Sequence, residues 1–352
     1  MSKRPGAPPT IIDVARKAGV SIKTVSRVLN KEPTVHPDTR AMVLEVVSEL
    51  NYRPQLSARS LAGARSFLLG LLYDEPSAGF AAGLQRGATA RCRMADYHLV
   101  VEALRAEGAD LRSRVEHMIA ALRPDGVVLA PPVCEHPDVL ATLRASGTPC
   151  VLISPGHAHG FAHVRMDDMR AAEEITGLLV DLGHTRVGFV RGKAESASER
   201  RRAGYERALR ARGLAVDPAL IVTGRFDFDS GFEAGRQLLA GVARPTAIFA
   251  ANDEMALGVI AAAHRAGLTV PGDLSVAGFD DSRAATLVWP SLTTVRQPVA
   301  EMAEAAVDML VSGEVKAGPQ DDPPSRVLPH ELIVRGTTAQ LVRVVPSYAI
   351  AS

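Results

Sequence analysis

The residues of this chain best suited to specific recognition stand close together near its start: Ile22, Lys23, Ser26 and Arg27. On a helical wheel they share one face, while Val25, Val28 and Leu29 share the other. A cation pair, a hydroxyl and one exposed apolar side chain match the edges of DNA base pairs. Lysine and arginine donate to guanine O6 and N7, and an apolar side chain meets the thymine methyl. The chemistry is hydrogen bonding and contact, not bond breaking.

That face needs a scaffold, and residues 10–30 read as two short helices joined by a tight turn. Thr10 is the N-cap of the first, with Asp13 three residues on to favour the exposed amides. Ala15 and Ala18 are small enough for a close helix approach, Gly19 supplies the turn, and Ser21 caps the second helix. Alone, the pair also reads as a plain hairpin with a solvated polar face. Residues 37–50 supply a third helix, with Val43, Val46, Val47 and Leu50 at helical spacing and Asn51 as its C-cap.

The charge is asymmetric. The net charge is +1. Up to Arg65 there are 11 basic and 5 acidic residues; the remainder holds 29 basic and 34 acidic. A positive head on a mildly negative body fits a DNA reader attached to a sensor. No apolar run reaches the ~18 residues of a membrane span, so no membrane partner is expected. The N-terminal residues have no apolar stretch behind their charges and read as a basic arm rather than a secretory signal. Cys92, Cys134 and Cys150 are unevenly spaced, which fits reduced thiols in a cytoplasmic protein.

From Ser66 onward apolar runs of strand length alternate with amphipathic stretches of helix length. Strands are expected at 67–73, 98–103, 126–130 and 150–153, with helices at 80–94, 109–122 and 136–145 between them. A second set follows: strands near 164 and at 186–190, 220–223, 246–250 and 274–277, with helices at 171–182, 199–212, 230–239 and 254–266. Two parallel α/β lobes in tandem place a cleft between them, lined by loops at the strand C-terminal ends. Three further stretches close the pattern, at 292–295, 299–310 (a helix) and 327–334; residues 313–325 form an exposed loop. No Gly-x-x-x-x-Gly-Lys-Ser/Thr, Gly-x-Ser-x-Gly or His-Glu-x-x-His is present, so no enzyme class is indicated. A solute-binding protein would share the two lobes but not the basic helical head.

Several segments in order carry a resemblance: Asp13-Val-Ala-Arg-Lys-Ala-Gly-Val-Ser21, Thr24-Val-Ser-Arg-Val-Leu-Asn30, Thr39-Arg40 and Asn51-Tyr-Arg-Pro54. Further on come Leu182-Gly-His184, Ala251-Asn-Asp-Glu-Met-Ala-Leu-Gly258, Val276-Ala-Gly-Phe-Asp-Asp281 and Leu292-Thr-Thr-Val-Arg-Gln297. Through them nearly the whole chain resembles the lactose-repressor (LacI/GalR) family of bacterial transcription regulators. The resemblance implies an N-terminal all-α helix-turn-helix domain (1–53), a hinge helix or linker (54–64) and an α/β two-lobed core (65–338). That core is periplasmic-binding-protein-like, with parallel sheets and flanking helices, and is followed by a tail (339–352). Three chain crossings divide it into an N-lobe (about 65–166 plus 298–326) and a C-lobe (about 167–297 plus 327–338).

Carried over by position, Ile22 and Lys23 match base-reading residues, and Arg27 matches a base or phosphate contact. Thr10, Ser21, Thr24, Ser26, Asn30 and Tyr52 match positions that hold phosphates. Ala58 and Leu61 fall in the hinge, where Leu61 matches the leucine wedged into the minor groove; covering the core domain is its other reading. For the cleft, the family positions are filled by Arg201, Asn252, Asp280 and Gln297, with Phe226 as a stacking aromatic. Asp74, Phe80 and Ser154 lie on the N-lobe rim.

Plainer readings stand beside some of these: Arg201 lies in the charge run Glu199-Arg-Arg-Arg202, and Asn252 suits a helix cap. Ser154 and Pro155 stand where relatives commonly carry an acidic residue, and Glu75-Pro-Ser-Ala-Gly79 replaces a commoner Asn-Pro-Phe pattern. His157, His159 and His163 share one loop but read as solvated side chains; no metal or cofactor is expected. The implied function is repression of carbohydrate-utilisation genes by a homodimer on palindromic operator DNA, controlled by a sugar-like effector. A nucleobase or another small metabolite acting as corepressor is the alternative.

Overall fold

The computed structural model describes residues 9–29, 32–52, 65–74, 78–105, 108, 110–193, 196–241 and 243–342. Asn30, Ala58, Leu61 and the rest of the stretch 54–64, expected as a hinge helix or linker, lie outside the described residues. The chain divides into two compact units, Met1–Phe67 and Leu68–Ser352.

The first unit holds three helices, α1 (Ile11–Ala18), α2 (Ile22–Leu29) and α3 (Pro37–Glu49). Gly19 ends α1 at φ +64°, and the Val20 amide donates back to Ala15 O at 3.1 Å. This left-handed stop suits glycine, which has no Cβ to clash. Val14, Ala15, Ala18, Val25, Val28, Val43, Val46 and Tyr52 form the core. Leu50 is the C-cap of α3, and Asn51 takes the left-handed position after it at φ 45°.

The second unit runs β1 (Leu68–Tyr73), α4 (Ala78–Met94), β2 (His98–Ala103), α5 (Leu111–Leu122), β3 (Gly126–Leu129), α6 (Pro137–Ser146), β4 (Cys150–Ile153) and β5 (Ala162–Arg165). It continues as α7 (Asp168–Asp181), β6 (Val187–Arg191), α8 (Ser196–Ala211), β7 (Ile221–Thr223), α9 (Phe228–Leu239), β8 (Ala247–Ala250), α10 (Asp253–Arg265) and β9 (Ser275–Ala277). The last elements are α11 (Arg283–Leu287), β10 (Thr294–Arg296), α12 (Val299–Val311), β11 (Ser325–Val327) and β12 (Glu331–Ile333).

The first lobe is a six-stranded parallel sheet in the order β11-β5-β4-β3-β1-β2. Its inner strands β1, β3 and β4 are buried on both faces, as parallel sheets require, while the edge strands β2 and β11 stay partly exposed. One face packs on α4 and α12, through Leu84, Ala88, Met302 and Val307. The other packs on α5 and α6, through Val115, Met118, Val139 and Leu143. Gly87 lets α4 meet α12, since a Cβ there would stand 2.0 Å from Ala300 O.

The second lobe is a four-stranded parallel sheet, β7-β6-β8-β9. The aromatics of its core form a chain: Tyr205 and Phe189 stack with ring centroids 5.0 Å apart, and tilted contacts follow from Phe189 to Phe249 at 5.2 Å and from Phe249 to Phe279 at 6.4 Å. His184 is buried, with ring nitrogens 3.0 Å from Thr246 Oγ1 and 3.0 Å from Ser275 Oγ, so it ties this sheet together.

Residues 327–334 read as one stretch in the sequence, but the structure divides them between two sheets. β11 pairs with β5 in the first lobe, and β12 pairs antiparallel with β10. Pro329 lies between them and has no N–H for a ladder, which explains the break. Here the chain passes between lobes, beside a cavity of ≈ 420 Å³ lined by residues that include Arg296, Glu301, Pro329 and His330. His330 Nε2 lies 2.9 Å from Glu174 Oε2 of α7. Among the described residues, no helix is long and apolar enough to cross a membrane.

Candidate functional site

In the first unit the capping chemistry holds the recognition face in place. The Thr10 amide and hydroxyl both donate to Asp13 Oδ2, at 2.9 and 2.7 Å. Ser21 Oγ accepts from the Thr24 amide at 3.1 Å and lies 2.9 Å from Thr24 Oγ1, so these two residues start α2. Ile22, Lys23 and Arg27 are exposed and Ser26 is half-buried, all opposite buried Val25 and Val28. An isoleucine 47% exposed on a helix whose other face is packed is unusual for an isolated domain and suits contact with a partner. Arg27 Nε rests 3.5 Å from Glu32 Oε2, an exposed pair that is weak and easily exchanged for a phosphate or base.

Tyr52 packs its ring into the three-helix core, and burial raises its hydroxyl pKa; the phosphate contact expected of it concerns that hydroxyl alone. Its aromatic ring closes a core that three short helices cannot fill with valine and alanine alone. Arg40 belongs to the Thr39-Arg40 motif, which carries the resemblance but assigned it no role. It donates from α3 to Val28 O at 3.5 Å and to Glu32 O, capping the end of α2. An arginine four residues into a helix carries no sequence signal for that role.

In the second unit, five of the expected residues gather at the strand C-terminal ends of the second lobe. Arg201, on α8, donates through Nε to Asp168 Oδ1 at 3.0 Å and through Nη1 to Ala251 O at 2.7 Å. Its guanidinium carbon sits 3.8 Å from the centroid of the Phe279 ring. Stacking and two anchored nitrogens fix the plane of the fork.

Asn252 follows β8. Its Oδ1 accepts from Met255 N at 3.0 Å as the N-cap of α10, and its Nδ2 donates to Phe226 O at 2.9 Å. The capping reading therefore describes what its amide does in this structure. Phe226 holds a left-handed backbone at φ 66° and is only 8% exposed. The tip of its ring abuts Gly192, where a Cβ would stand 2.0 Å from Phe226 Cζ.

Asp280 follows β9 at φ 126° and accepts from Gln297 Nε2 at 2.5 Å. Its neighbour in charge is Asp253, whose carboxylate accepts from Ser282 N at 2.7 Å and from Thr294 Oγ1 at 2.6 Å. Burial pushes both carboxyls above the ordinary range, Asp280 also by the charge of Asp253 and against the pull of Arg201 and Gln297.

The opposite wall belongs to the first lobe. Asp74 follows β1, and Phe80, in the first turn of α4, packs against that lobe's core. A Cβ on Gly79 would stand 3.2 Å from Ser282 Cβ, which places the start of α4 directly against the second lobe. Ser154 follows β4 and is buried, with Oγ 3.7 Å from Met302 Sδ.

Two contributors escaped the sequence. Asp168 is 1% exposed and sits between Arg200 and Arg201, its Oδ2 3.3 Å from Arg200 Nη2. Its signal was hidden because Asp167 beside it is the helix cap, accepting from Arg170 N at 3.0 Å. Arg200 reads as part of a solvated charge run, yet it reaches the first lobe, donating to Ser154 O and Pro155 O at 3.1 Å each. His157 and His159 have ring centroids 6.0 Å apart, and among the described residues no group of three or more metal-ligating side chains forms.

Comparison with known proteins gives a consistent answer. Residues 10–55 match the family described as bacterial regulatory proteins, lacI family, and residues 176–338 match a periplasmic binding protein-like domain. The catabolite control protein A of Priestia megaterium is 38% identical over 305 residues, 86% of this chain and 91% of its own. The ribose operon repressor of Escherichia coli K12 is 36% identical over 305 residues, 86% of this chain and 92% of its own. Among solved structures, the Lac repressor dimer bound to operator and the anti-inducer ONPF superposes with a TM-score of 0.79 at 29% identity, covering 95% of this chain and 100% of its own. The transcriptional regulator CelR–cellobiose complex gives 0.71 at 30% identity, covering 94% and 99%. The chain thus belongs to the LacI family of bacterial regulatory proteins, which are DNA-binding transcription regulators and not enzymes.

Proposed function

We propose that this regulator represses carbohydrate-utilisation genes and that a small sugar-like effector in the interlobe cleft sets its affinity for operator DNA. The observation that carries the reading is the cluster of Arg201, Asn252, Asp280 and Gln297 at the strand C-terminal ends of the second lobe. Such a cluster offers paired donors and acceptors to a polyol, beside the Phe226 ring. The relatives support it: one is named for the ribose operon, and one was solved with cellobiose.

The working unit is a cytoplasmic homodimer. Its two heads engage the half-sites of a palindrome, with Ile22, Lys23 and Arg27 at base edges and Thr10, Ser21, Thr24, Ser26, Asn30 and Tyr52 at phosphates. Ala58 and Leu61 belong to the hinge that enters the minor groove between them. An effector that prefers one lobe arrangement shifts operator affinity by its differential affinity for the two states.

A thermal-shift screen of the full chain against monosaccharides, disaccharides, sugar phosphates and nucleobases tests the reading. The compound that shifts the melt is then added to an operator-binding titration. A sugar that raises the melting temperature and changes operator affinity supports the proposal. A nucleobase that does so in place of any sugar replaces it with the corepressor reading.

A further inference from the structure

The two lobes are joined by a side chain as well as by the chain crossings. Arg200, in the first turns of α8, belongs to the second lobe. It donates through Nη1 to Pro155 O at 3.1 Å and through Nη2 to Ser154 O at 3.1 Å. Both carbonyls belong to the turn that follows β4 of the first lobe. Nη2 also donates to Asp168 Oδ2 at 3.3 Å, at the start of α7 in the second lobe. One guanidinium is therefore anchored on one lobe and bonded to the other.

Each end of this bridge is built for it. On the second lobe, Asp168 is 1% exposed, and its other oxygen accepts from Arg201 Nε at 3.0 Å. The carboxylate cannot turn without releasing two guanidinium groups. On the first lobe, Ser154 holds a left-handed backbone at φ 47°, which a serine keeps only where its surroundings enforce it. They do so from both sides. The Ser154 amide donates to Val164 O at 2.8 Å, and the Gly156 amide donates to Glu135 Oε1 at 2.6 Å. Consecutive carbonyls of an extended strand point to opposite sides. In this turn those of Ser154 and Pro155 converge on one fork. The approach of the lobes at Gly79 and Ser282 is different in kind, since Ser282 Oγ has no hydrogen-bond partner there.

A bond made in only one lobe arrangement shifts the equilibrium toward that arrangement, whether or not a ligand is present. After exchange with water a hydrogen bond is worth roughly a factor of two to ten, and more from a charged donor. The two carbonyl bonds of Arg200 together weight the joined arrangement by roughly tenfold or more.

We infer that Arg200 is a latch across the cleft: it ties the second lobe to the Ser154–Pro155 turn and holds the lobes together in the effector-free regulator. This rests on the reading that lobe arrangement controls operator affinity, and it names the residue that sets the starting point of the response. An effector then acts on an equilibrium that Arg200 has already weighted.

The test uses the full chain with no effector and no operator, so its outcome is the same whether a sugar or a nucleobase proves to be the effector. Spin labels are attached at Ala141→Cys on α6 of the first lobe and Gln237→Cys on α9 of the second, both exposed positions. Cys92, Cys134 and Cys150 are buried and burial raises their thiol pKa values, so they do not compete for the label. Labelled chains are diluted into unlabelled protein, and double electron–electron resonance then reads distances within one chain.

With Arg200 in place, one distance is expected to dominate. Arg200→Gln removes the charge and the fork, and it is expected to raise a second distance population about tenfold. The wild-type distribution in Arg200→Gln overturns the latch; a lower melting temperature beside that unchanged distribution makes Arg200 a stabilising residue only. A wild-type chain that divides evenly between two distances also overturns it. If circular dichroism shows that Arg200→Gln does not fold, Arg200→Lys takes its place. Lysine keeps the charge but cannot reach both carbonyls and Asp168 together, so the second population is expected to rise by a smaller factor; an unchanged distribution overturns the proposal.

Discussion

The side-chain amide of Asn252 joins two loops that the sequence separates by 26 positions: it donates to Phe226 O at 2.9 Å while its oxygen caps α10. One residue therefore starts a helix and pins a phenylalanine in a left-handed turn. Asn252→Ala removes both functions. Loss of the cap alone costs about 1 kcal/mol, and the melting temperature is expected to fall accordingly. Asn252→Ser keeps a capping oxygen and loses the donor, so it should melt above the alanine variant. Equal melting temperatures for wild type and Asn252→Ala would show that the linkage carries no stability.

Arg27→Ala is expected to abolish specific operator binding and to leave effector-induced thermal stabilisation unchanged. Arg27 is exposed and its ion pair to Glu32 is weak, so the fold does not depend on it. Fluorescence anisotropy with operator DNA and a thermal melt with effector measure the two properties separately. Loss of both together would contradict the independence of the two units.

Lys23 lies on the same exposed face, and its proposed role is sequence choice rather than general affinity. Replacement by Gln should change which base pairs are enriched when the protein selects sites from random DNA, because glutamine pairs with adenine where lysine prefers guanine. An unchanged selected motif removes Lys23 from the base-reading set.

Asp280 makes stability depend on pH with a definite sign. Burial and the charge of Asp253 raise its folded-state pKa above the ordinary carboxylate value of about 4. The folded protein then holds the proton more tightly than the unfolded chain does. The resulting stability is full below the unfolded value and is lost as pH rises through the folded one. Between about pH 5 and about pH 8, Asp280→Asn should therefore show a smaller fall in melting temperature than wild type. The same fall in both proteins argues against a raised carboxyl.

Glycines form the seam between α9 and α10. A Cβ on Gly231 would stand 2.3 Å from Met255 O, and one on Gly258 would stand 2.3 Å from Phe228 O. Gly231→Ala must force the helices apart, at a cost of roughly 1–3 kcal/mol. Urea titration should show a lower midpoint, and an unchanged midpoint would mean that the seam can relax.

Much of this architecture was legible because periodicity reports burial. Val25, Val28, Val43 and Val46 repeat at helical spacing and form the head's core; the apolar runs ending at Tyr73, Ile153 and Ala250 are strands. The cleft was legible only where a strand end met a motif, as at Asp280 and Asn252. Asp168 and Arg200 were hidden because each sits beside residues of the same charge with plainer roles, and only tertiary packing distinguishes them. The packing of the Tyr52 ring into the head's core was not legible either, because a tyrosine after a helix carries no mark of burial. The 327–334 stretch failed at Pro329, where one apolar run serves two sheets.

Neither lobe of the sensor is a continuous piece of chain. The first-lobe sheet includes β11, which follows most of the second lobe in sequence, and α12 covers one of its faces. A fragment ending after β5 would leave β5 as a bare edge strand and expose the apolar face that Met302 and Val307 cover. Truncation is therefore expected to yield aggregation instead of an isolated lobe. Exchange of one lobe between relatives requires three simultaneous junctions, so a new effector is reached more readily by single substitutions on the cleft walls than by recombination of whole lobes.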